Sequence, residues 1–251
     1  MDFHGKTAIV TGAGSGIGRA TALRLAALGA SLTAADKNLA AAEETAGLAG
    51  KRAVATCTDV SSSADVQKMV AATVEAFGRL DILVNNAGFG FRGTVETISE
   101  ADWDRLMAVN TKSVFLCSKY ALPELVKTSG AIVNVTSYTA QVGIPDRAAY
   151  VASKGAIAAL TRAMAVDHIG QGVRVNAVAP GTVNSPYFAR MLAESDNPEQ
   201  LRASLDGRAP IGRMAEPEEI AEAIAWLASS ESRFAVGTVL TVDGGTSIWG
   251  R

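Results

Sequence analysis

Short apolar runs alternate along this chain with longer segments in which apolar residues recur every three or four positions. The short runs predict buried strands at residues 7–11, 31–35, 52–58, 81–84, 131–135, 173–178 and 239–242. The longer segments predict helices at residues 17–28, 64–77, 101–126 and 216–228, and a further helix through residues 150–154 that ends near residue 169. We expect Pro123 to interrupt the helix over residues 101–126 near its end.

This alternation of strand and helix favours an α/β fold, in which helices cover both faces of a parallel sheet. No linker and no change of composition divides the sequence, so residues 1–251 are predicted to form a single domain. Sheets of this kind bind ligands beyond the carboxyl ends of their strands. Candidate functional residues are therefore expected directly after the predicted strands.

A glycine-rich turn, Gly12-Ala-Gly-Ser-Gly-Ile-Gly18, joins the first predicted strand to the first predicted helix. Glycines at this point let the backbone approach a pyrophosphate, and the free N–H groups of the helix N-terminus attract its charge. The second predicted strand ends at Asp36, where a carboxylate can accept a hydrogen bond from a ribose 2′-hydroxyl and repel a 2′-phosphate. These features predict a dinucleotide site that prefers NAD to NADP, although the cation of Lys37 acts in the opposite direction.

Tyr150 and Lys154 lie four residues apart, on one face of a helix if the segment is helical. A neighbouring ammonium favours the phenolate, so Lys154 is expected to lower the pKa of Tyr150. Such a pair can take a proton from an alcohol or return one to a carbonyl oxygen. Ser137, which follows the predicted strand at 131–135, can reach the same substrate oxygen.

The motifs Thr11-Gly12-x-x-x-Gly16-x-Gly18, Asn85-Asn-Ala-Gly88 and Tyr150-x-x-x-Lys154 resemble those of the short-chain dehydrogenase/reductase family. The resemblance covers nearly the whole chain and implies a Rossmann-type doubly wound sheet and the catalytic set Asn110, Ser137, Tyr150 and Lys154. It implies that NAD is contacted by Gly12, Ser15, Gly16, Ile17, Gly18, Asp36, Asp59, Val60, Asn86, Ala87, Gly88, Tyr150, Lys154, Pro180, Gly181 and Val183. Ser15 supports NAD, since relatives that prefer NADP often carry a basic residue there.

The family resemblance also implies an assembly and an additional element. Relatives commonly form homo-oligomers through the helices around residues 101–126 and 156–165, so a tetramer or a dimer is expected. Residues 184–210 combine mixed polarity with Pro186, Pro198 and Pro210. This composition suits a mobile lid over a substrate.

Composition narrows the classes of partner. The net charge is -2 and no basic run stands out, which disfavours nucleic acid. No apolar stretch is long enough to span a membrane, and the N-terminus has no signal-peptide core, so a cytoplasmic protein is expected. Cys57 and Cys117 are far apart and the chain has only 2 histidines, so neither a disulfide framework nor a metal site is predicted.

The sequence thus predicts an NAD-dependent oxidoreductase that interconverts a secondary alcohol and a ketone. Arg147, close to Tyr150 in sequence, can clamp a carboxylate, and Arg92, Gln141 and Asn184 can supply further polar contacts. We therefore expect a small polar substrate: a sugar, a sugar acid or a short hydroxy acid. Two alternatives stay open, an NADPH-dependent 3-oxoacyl-[acyl-carrier-protein] reductase and a non-catalytic cofactor-binding scaffold or sensor.

Overall fold

A parallel sheet forms the centre of the computed structural model, which describes residues 1–249. The predicted domain of residues 1–251 thus ends two residues outside the described residues. Within the described residues the sheet has seven strands in the order β3-β2-β1-β4-β5-β6-β7. They are β1 (Thr7–Thr11), β2 (Ser31–Asp36), β3 (Ala53–Cys57), β4 (Ile82–Asn85), β5 (Ala131–Val135), β6 (Arg174–Pro180) and β7 (Val239–Val242). The predicted Rossmann-type doubly wound sheet is confirmed.

Helices cover both faces of this sheet. The helices are α1 (Gly16–Ala27), α2 (Leu39–Ala49), α3 (Ser63–Phe77), α4 (Glu100–Met107), α5 (Ser113–Thr128), α6 (Ala148–His168), α7 (Pro186–Ala193), α8 (Pro198–Asp206) and α9 (Pro217–Ala228). One core cluster joins the sheet to α1, α2 and α9, and the other joins it to α3, α5 and α6. Successive strand residues alternate between the clusters, as Val10 and Ile9 do, because side chains of a strand point to opposite faces.

The order of the strands places a crevice at the carboxyl edge of the sheet. β1 pairs with β2 on one side and with β4 on the other, so the direction of winding reverses between β1 and β4. A crevice opens at such a reversal, and it is where ligands of doubly wound sheets bind. The glycine-rich turn after β1 and the turn at residues 85–88 after β4 border it.

The predicted helix over residues 101–126 is interrupted at a different place from the one expected. Pro123 lies inside the continuous helix α5, so the prediction of a break there is wrong. The interruption is a π-helical turn at Ala108–Lys112, between α4 and α5. Its centre is Asn110, whose buried amide is hydrogen-bonded outside its own helix. A π turn adds one residue to the helical repeat and commonly occurs at functional sites.

Two further parts of the chain have more helix than the sequence patterns predicted. Helix α2 occupies the segment between β2 and β3, for which no element was predicted. Residues 184–210 contain the two short helices α7 and α8, each with a proline in its first turn, where its missing N–H costs nothing. Within the described residues no helix is long and apolar enough to cross a bilayer.

Candidate active site

A cleft of about 550 Å³ lies at the carboxyl edge of the sheet. Its walls bring together residues predicted from six separate parts of the sequence. These are Gly12, Ser15, Gly16, Ile17, Asp36, Asp59, Val60, Asn86, Ala87, Gly88, Ser137, Arg147, Tyr150, Lys154, Pro180, Gly181 and Val183. The cleft is large enough for a small-molecule ligand or cofactor.

The turn after β1 and the turn after β4 are locked to each other. The Thr11 hydroxyl accepts the N–H groups of Asn86 and Ala87, both at 3.1 Å. The Asn86 amide in turn donates to the carbonyl oxygens of Thr11 (2.9 Å) and Gly12 (3.2 Å). A Cβ on Gly18 would lie 2.0 Å from the Gly12 carbonyl oxygen, so only glycine lets α1 begin so close to β1. Gly18 therefore acts behind the cleft wall.

Asp36 is fixed at the far end of this turn. Its carboxylate accepts the backbone N–H of Gly14 and that of Asn38, both at 2.9 Å. Two cations lie nearby, and each is paired with another carboxylate. Lys37 contacts Asp59 at 2.9 Å, and Arg19 contacts Glu44 at 2.6 Å.

The hydrogen bonds that Asp59 accepts change its pKa. Hydrogen bonds from Ser61 and Lys37 lower the pKa of Asp59 to about 2, so it is a carboxylate throughout the physiological range. The Lys37 ammonium is thereby held at the rim of the cleft, against Asp59.

These features fit a nicotinamide dinucleotide. The glycine turn opens onto the N-terminus of α1, whose first N–H groups can receive a pyrophosphate. Asp36 stands at the end of β2, where a ribose hydroxyl of the adenosine half would need an acceptor. The opposite end of the cleft is lined by Ser137, Tyr150 and Lys154, and it has room for the nicotinamide half of the cofactor. Among the described residues, no group of three or more His, Cys, Asp or Glu is placed to hold a metal ion.

Ser137, Tyr150 and Lys154 meet because β5 and α6 pack together. Ser137 lies two residues beyond β5, and Tyr150 lies in the first turn of α6. Lys154 follows one helical turn later, and its Nζ lies 5.7 Å from the centroid of the Tyr150 ring. The Lys154 Nζ donates to the Val135 carbonyl oxygen at 2.9 Å, which anchors the ammonium beneath the phenol.

Asn110 lies behind these residues and is fully buried. Its amide nitrogen donates to the Phe89 carbonyl oxygen (3.0 Å) and to the Ser153 hydroxyl (3.2 Å), while its oxygen accepts the Phe89 N–H (3.0 Å). A Cβ on Gly88 would lie 3.1 Å from the Asn110 amide oxygen and 3.7 Å from the Lys154 Nζ. Asn110 and Lys154 therefore border the same glycine, whose lack of a side chain keeps this space open.

Burial controls the titration of the Tyr150–Lys154 pair. It raises the pKa of Tyr150, with the Ser137 hydroxyl acting in the opposite direction. It also lowers the pKa of Lys154 to about 8. The prediction that Lys154 lowers the pKa of Tyr150 stays a prediction, since burial is the main cause of the raised pKa and the groups that oppose it are Ser137 and Arg147. At neutral pH Tyr150 keeps its proton, the form that can donate to a carbonyl oxygen.

The four residues predicted for the substrate lie in different surroundings. Arg147 lines the cleft, and its buried Nη1 has no hydrogen-bond partner among the described residues. Arg92 lies 3.9 Å from the Asp146 carboxylate, Gln141 donates to the Thr241 hydroxyl at 3.0 Å, and Asn184 donates to the Glu216 carboxylate at 3.2 Å. These three are not among the residues that line the cleft, and their substrate roles stay predictions.

Several side chains that line the cleft were missed from the sequence. The most informative are Tyr138, Tyr187, Phe188 and Arg208. Tyr187 and Phe188 belong to α7, and their rings meet edge to face with centroids 5.0 Å apart. Two adjacent aromatic residues in a polar, proline-containing segment were the available signal. Arg208 follows α8, and no local pattern indicates that it returns to the cleft.

Comparisons with known proteins show which family the chain resembles. A family model described as enoyl-(acyl carrier protein) reductase matches residues 12–247. The chain is 42% identical to a meso-2,3-butanediol dehydrogenase of Serratia marcescens over 98% of this chain and 96% of that protein. It is 38% identical to a 3-oxoacyl-[acyl-carrier-protein] reductase of Thermotoga maritima over 99% of this chain and 100% of that protein.

A solved structure of levodione reductase superimposes with a TM-score of 0.94 at 33% identity, covering 99% of this chain and 100% of that one. The chain therefore belongs to the short-chain dehydrogenase/reductase family. It is accordingly an oxidoreductase that acts on CH–OH groups and their carbonyl counterparts with a nicotinamide cofactor.

Proposed function

We propose that this protein uses NAD(H) to interconvert a secondary alcohol and a ketone on a small polar substrate, a sugar, a sugar acid or a short hydroxy acid. One observation carries the proposal. Ser137, Tyr150 and Lys154 line the same cleft as the glycine turn and Asp36, so an acid–base group and a dinucleotide cradle share one space. A cofactor-binding scaffold or sensor would need only the cradle.

The chain's own residues supply binding and proton transfer. A bound nicotinamide supplies the hydride donor or acceptor. In reduction, the protonated Tyr150 gives its proton to the carbonyl oxygen, and the Ser137 hydroxyl hydrogen-bonds that oxygen as negative charge develops on it. In oxidation, the phenolate form of Tyr150 receives the hydroxyl proton. Lys154, with its pKa lowered to about 8, lies beside the phenol, and Asn110, which borders Gly88 together with Lys154, would relay protons through a bound water.

The arrangement around Asp36 supports NAD over NADP. A 2′-phosphate would approach a carboxylate that two backbone N–H groups hold in place. The cations that could compensate, Lys37 and Arg19, are paired with Asp59 and Glu44. The attraction of Lys37 for a 2′-phosphate, which would favour NADP, is thereby reduced. Ser15, which lines the cleft, adds no positive charge.

The substrate end of the cleft supports a polar ligand. Arg147, Arg208 and Thr139 line it together with Tyr138. The relative named meso-2,3-butanediol dehydrogenase also acts on a small polar alcohol. The relative named 3-oxoacyl-[acyl-carrier-protein] reductase keeps an acyl thioester as a second candidate substrate. The fixed carboxylate of Asp36 disfavours the NADPH-dependent version of that reaction.

Assembly and location are also part of the proposal. A homo-oligomer, a tetramer or a dimer, is supported by apolar side chains that α5 and α6 leave exposed, among them Phe115 and Val166. Location in the cytoplasm stays a prediction from the sequence.

The proposal is tested by following NADH absorbance with a panel of polar secondary alcohols, apolar alcohols and acyl thioesters. We expect turnover of the polar alcohols with NAD, and we expect Tyr150→Phe to lower kcat by roughly 10²- to 10⁴-fold because the positioned acid is lost. NADH binding, read from its fluorescence, should stay close to wild type in this variant. Near-normal turnover by Tyr150→Phe would refute its role, and turnover of acyl thioesters alone would refute the polar substrate.

A further inference from the structure

Two arginines line the cleft near the reacting residues. Arg147 directly precedes α6, and its Nη1 is buried. Arg208 follows α8, and the Cζ of its guanidinium lies 6.0 Å from the centroid of the Phe188 ring. Neither guanidinium forms a hydrogen bond or an ion pair with another residue of the described part of the chain. A buried cationic donor without an acceptor is costly, so the Arg147 Nη1, with the Arg208 guanidinium lining the same cleft, makes this end of the cleft suited to an anion.

Charge along the cleft is divided between its two ends. The acids that line it, Asp36 and Asp59, are at the adenosine end with Lys37. The reacting end is lined by Arg147, Arg208 and Lys154, and no carboxylate among the described residues lines it. Such a division focuses a positive potential on one end of the cleft.

Two carboxylates close to this end of the cleft, Asp243 and Asp146, have other partners. Asp243 faces Tyr138 closely enough to raise its pKa, but its oxygens accept the N–H groups of Gly245 (2.9 Å) and Ser247 (2.7 Å). Asp146, which neighbours Arg147 in sequence, lies 3.9 Å from Arg92 instead. Neither acid forms an ion pair with Arg147 or Arg208.

Tyr138 connects the arginines to the reacting centre. Burial raises its pKa, and both Arg208 and Arg147 oppose that shift, which places the two cations around the same phenol. Arg147 acts on Tyr150 in the same sense. The Arg147 guanidinium therefore lies near both phenols, so a short substrate can reach Arg147 and Tyr150 together.

We propose that the substrate is a short secondary hydroxy acid, or the corresponding oxo acid, whose carboxylate binds to Arg147 and Arg208. This inference rests on the proposed function and narrows its substrate class. In oxidation the carbinol carbon gives a hydride to the nicotinamide, the hydroxyl gives its proton to the phenolate form of Tyr150, and the C–O single bond becomes the carbonyl of the oxo acid. The carboxylate is unchanged, so its binding energy serves to orient the reacting carbon.

The test compares charged substrates with their uncharged counterparts. Short α-, β- and γ-hydroxy acids are assayed with NAD, each beside its carboxamide, in the wild-type protein and in Arg147→Gln and Arg208→Gln. We expect the wild type to prefer the acid and each variant to raise the KM for the acid by roughly 10- to 100-fold with a smaller change in kcat, since a charged hydrogen bond is lost. Arg208→Lys should recover part of the loss, because it restores the charge without the planar fork.

Arg190→Gln is the matched control. Arg190 is an exposed arginine of α7 that does not line the cleft, so its loss should leave the preference for the acid unchanged. Equal kcat/KM for acid and amide in the wild type, with Tyr150-dependent turnover of both, would overturn the inference and leave the proposed function standing. A preference for phosphorylated or sulfonated alcohols over carboxylates would overturn the carboxylate assignment. Absence of hydride transfer from every alcohol would instead refute the proposed function.

Discussion

At the scale of single residues, Asp36 holds the fold together locally and carries the proposed preference for NAD. Its carboxylate holds the glycine turn through Gly14 and presents its charge where a 2′-phosphate would be placed. Gly14 lies so close to Asp36 that a Cβ on Gly14 would be 2.9 Å from an Asp36 oxygen. The charge therefore cannot move away from a bound phosphate without releasing the turn.

Changing Asp36 to Asn should weaken the preference for NAD. Asn keeps an acceptor oxygen but removes the charge, so we expect the ratio of kcat/KM for NAD to that for NADP to fall by roughly tenfold or more, as loss of a short-range charge repulsion implies. The measurement is steady-state kinetics with both cofactors. Lys37→Ala is the control, since its ammonium is occupied by Asp59 and its removal should change the ratio little. A wild-type preference for NADP would contradict this account.

The sequence was most informative where chemistry depends on local spacing. Tyr150 and Lys154 are brought together by one turn of helix, and the glycine turn is contiguous, so both could be predicted. The titration of Tyr150 could not, because burial depends on how α6 packs under the rest of the fold. Arg208 was missed for the same reason, since its place in the cleft depends on the path of residues 184–210.

At the scale of elements, the start of α1 is determined by one close contact. Gly18 lies within the helix, yet a Cβ on it would be 2.0 Å from the Gly12 carbonyl oxygen and 2.5 Å from the Asn86 amide nitrogen. The turn after β1, the turn after β4 and the first turn of α1 therefore meet at this residue. By contrast, Gly47 in α2 is exposed, and a Cβ on it would meet nothing within 4 Å beyond its own stretch of helix.

The two glycines should respond in opposite ways to alanine. Gly18→Ala should lower the free energy of unfolding by roughly 1–3 kcal/mol through overpacking, and it should raise the KM for NAD. Gly47→Ala should raise stability by up to about 1 kcal/mol, since alanine is the better helix former and meets no neighbour. Urea unfolding and cofactor kinetics of the two variants measure both effects. A Gly18→Ala protein with wild-type stability and cofactor KM would show that the helix can shift to admit a methyl group.

At the scale of the whole molecule, the alternation of strand and helix was sufficient to predict the doubly wound sheet. Each strand and its following helix is a local pattern, and parallel pairing then leaves few arrangements. The π turn at Asn110 and the helices over the cleft were not predictable in this way, because contacts with distant residues, such as that of Asn110 with Ser153, determine them. Contacts between residues that are distant in sequence also join the two halves of the sheet. One of these contacts is made by a buried carboxylate just before the amino end of β4.

Asp81 is this carboxylate, only 3% exposed, and it links β1 to β4. It accepts hydrogen bonds from Arg79 (2.7 Å), from the Thr7 N–H (3.0 Å) and from Lys6 (3.1 Å). Burial acts to raise its pKa, but these donors outweigh burial and the pKa is lowered. A carboxyl whose pKa is lower in the folded than in the unfolded state stabilises the protein above its unfolded pKa. That contribution is lost as the pH falls through the folded pKa.

Replacing Asp81 by Asn should therefore destabilise the protein in a pH-dependent way. At neutral pH we expect a loss of roughly 1–3 kcal/mol, the cost of leaving charged donors without their acceptor. For a chain of this size each kcal/mol corresponds to a fall in Tm of about 2–4 °C. As the pH falls below about 4, where the unfolded carboxyl titrates, the difference from wild type should shrink, because the wild-type carboxylate becomes protonated and loses the same interactions. Thermal unfolding of both proteins from neutral pH down to below pH about 4 measures this difference. Asp196→Asn, which changes an exposed aspartate, is the control. A stability difference that stays constant from neutral pH into strong acid would contradict the lowered pKa and would assign the effect of Asp81 to packing alone.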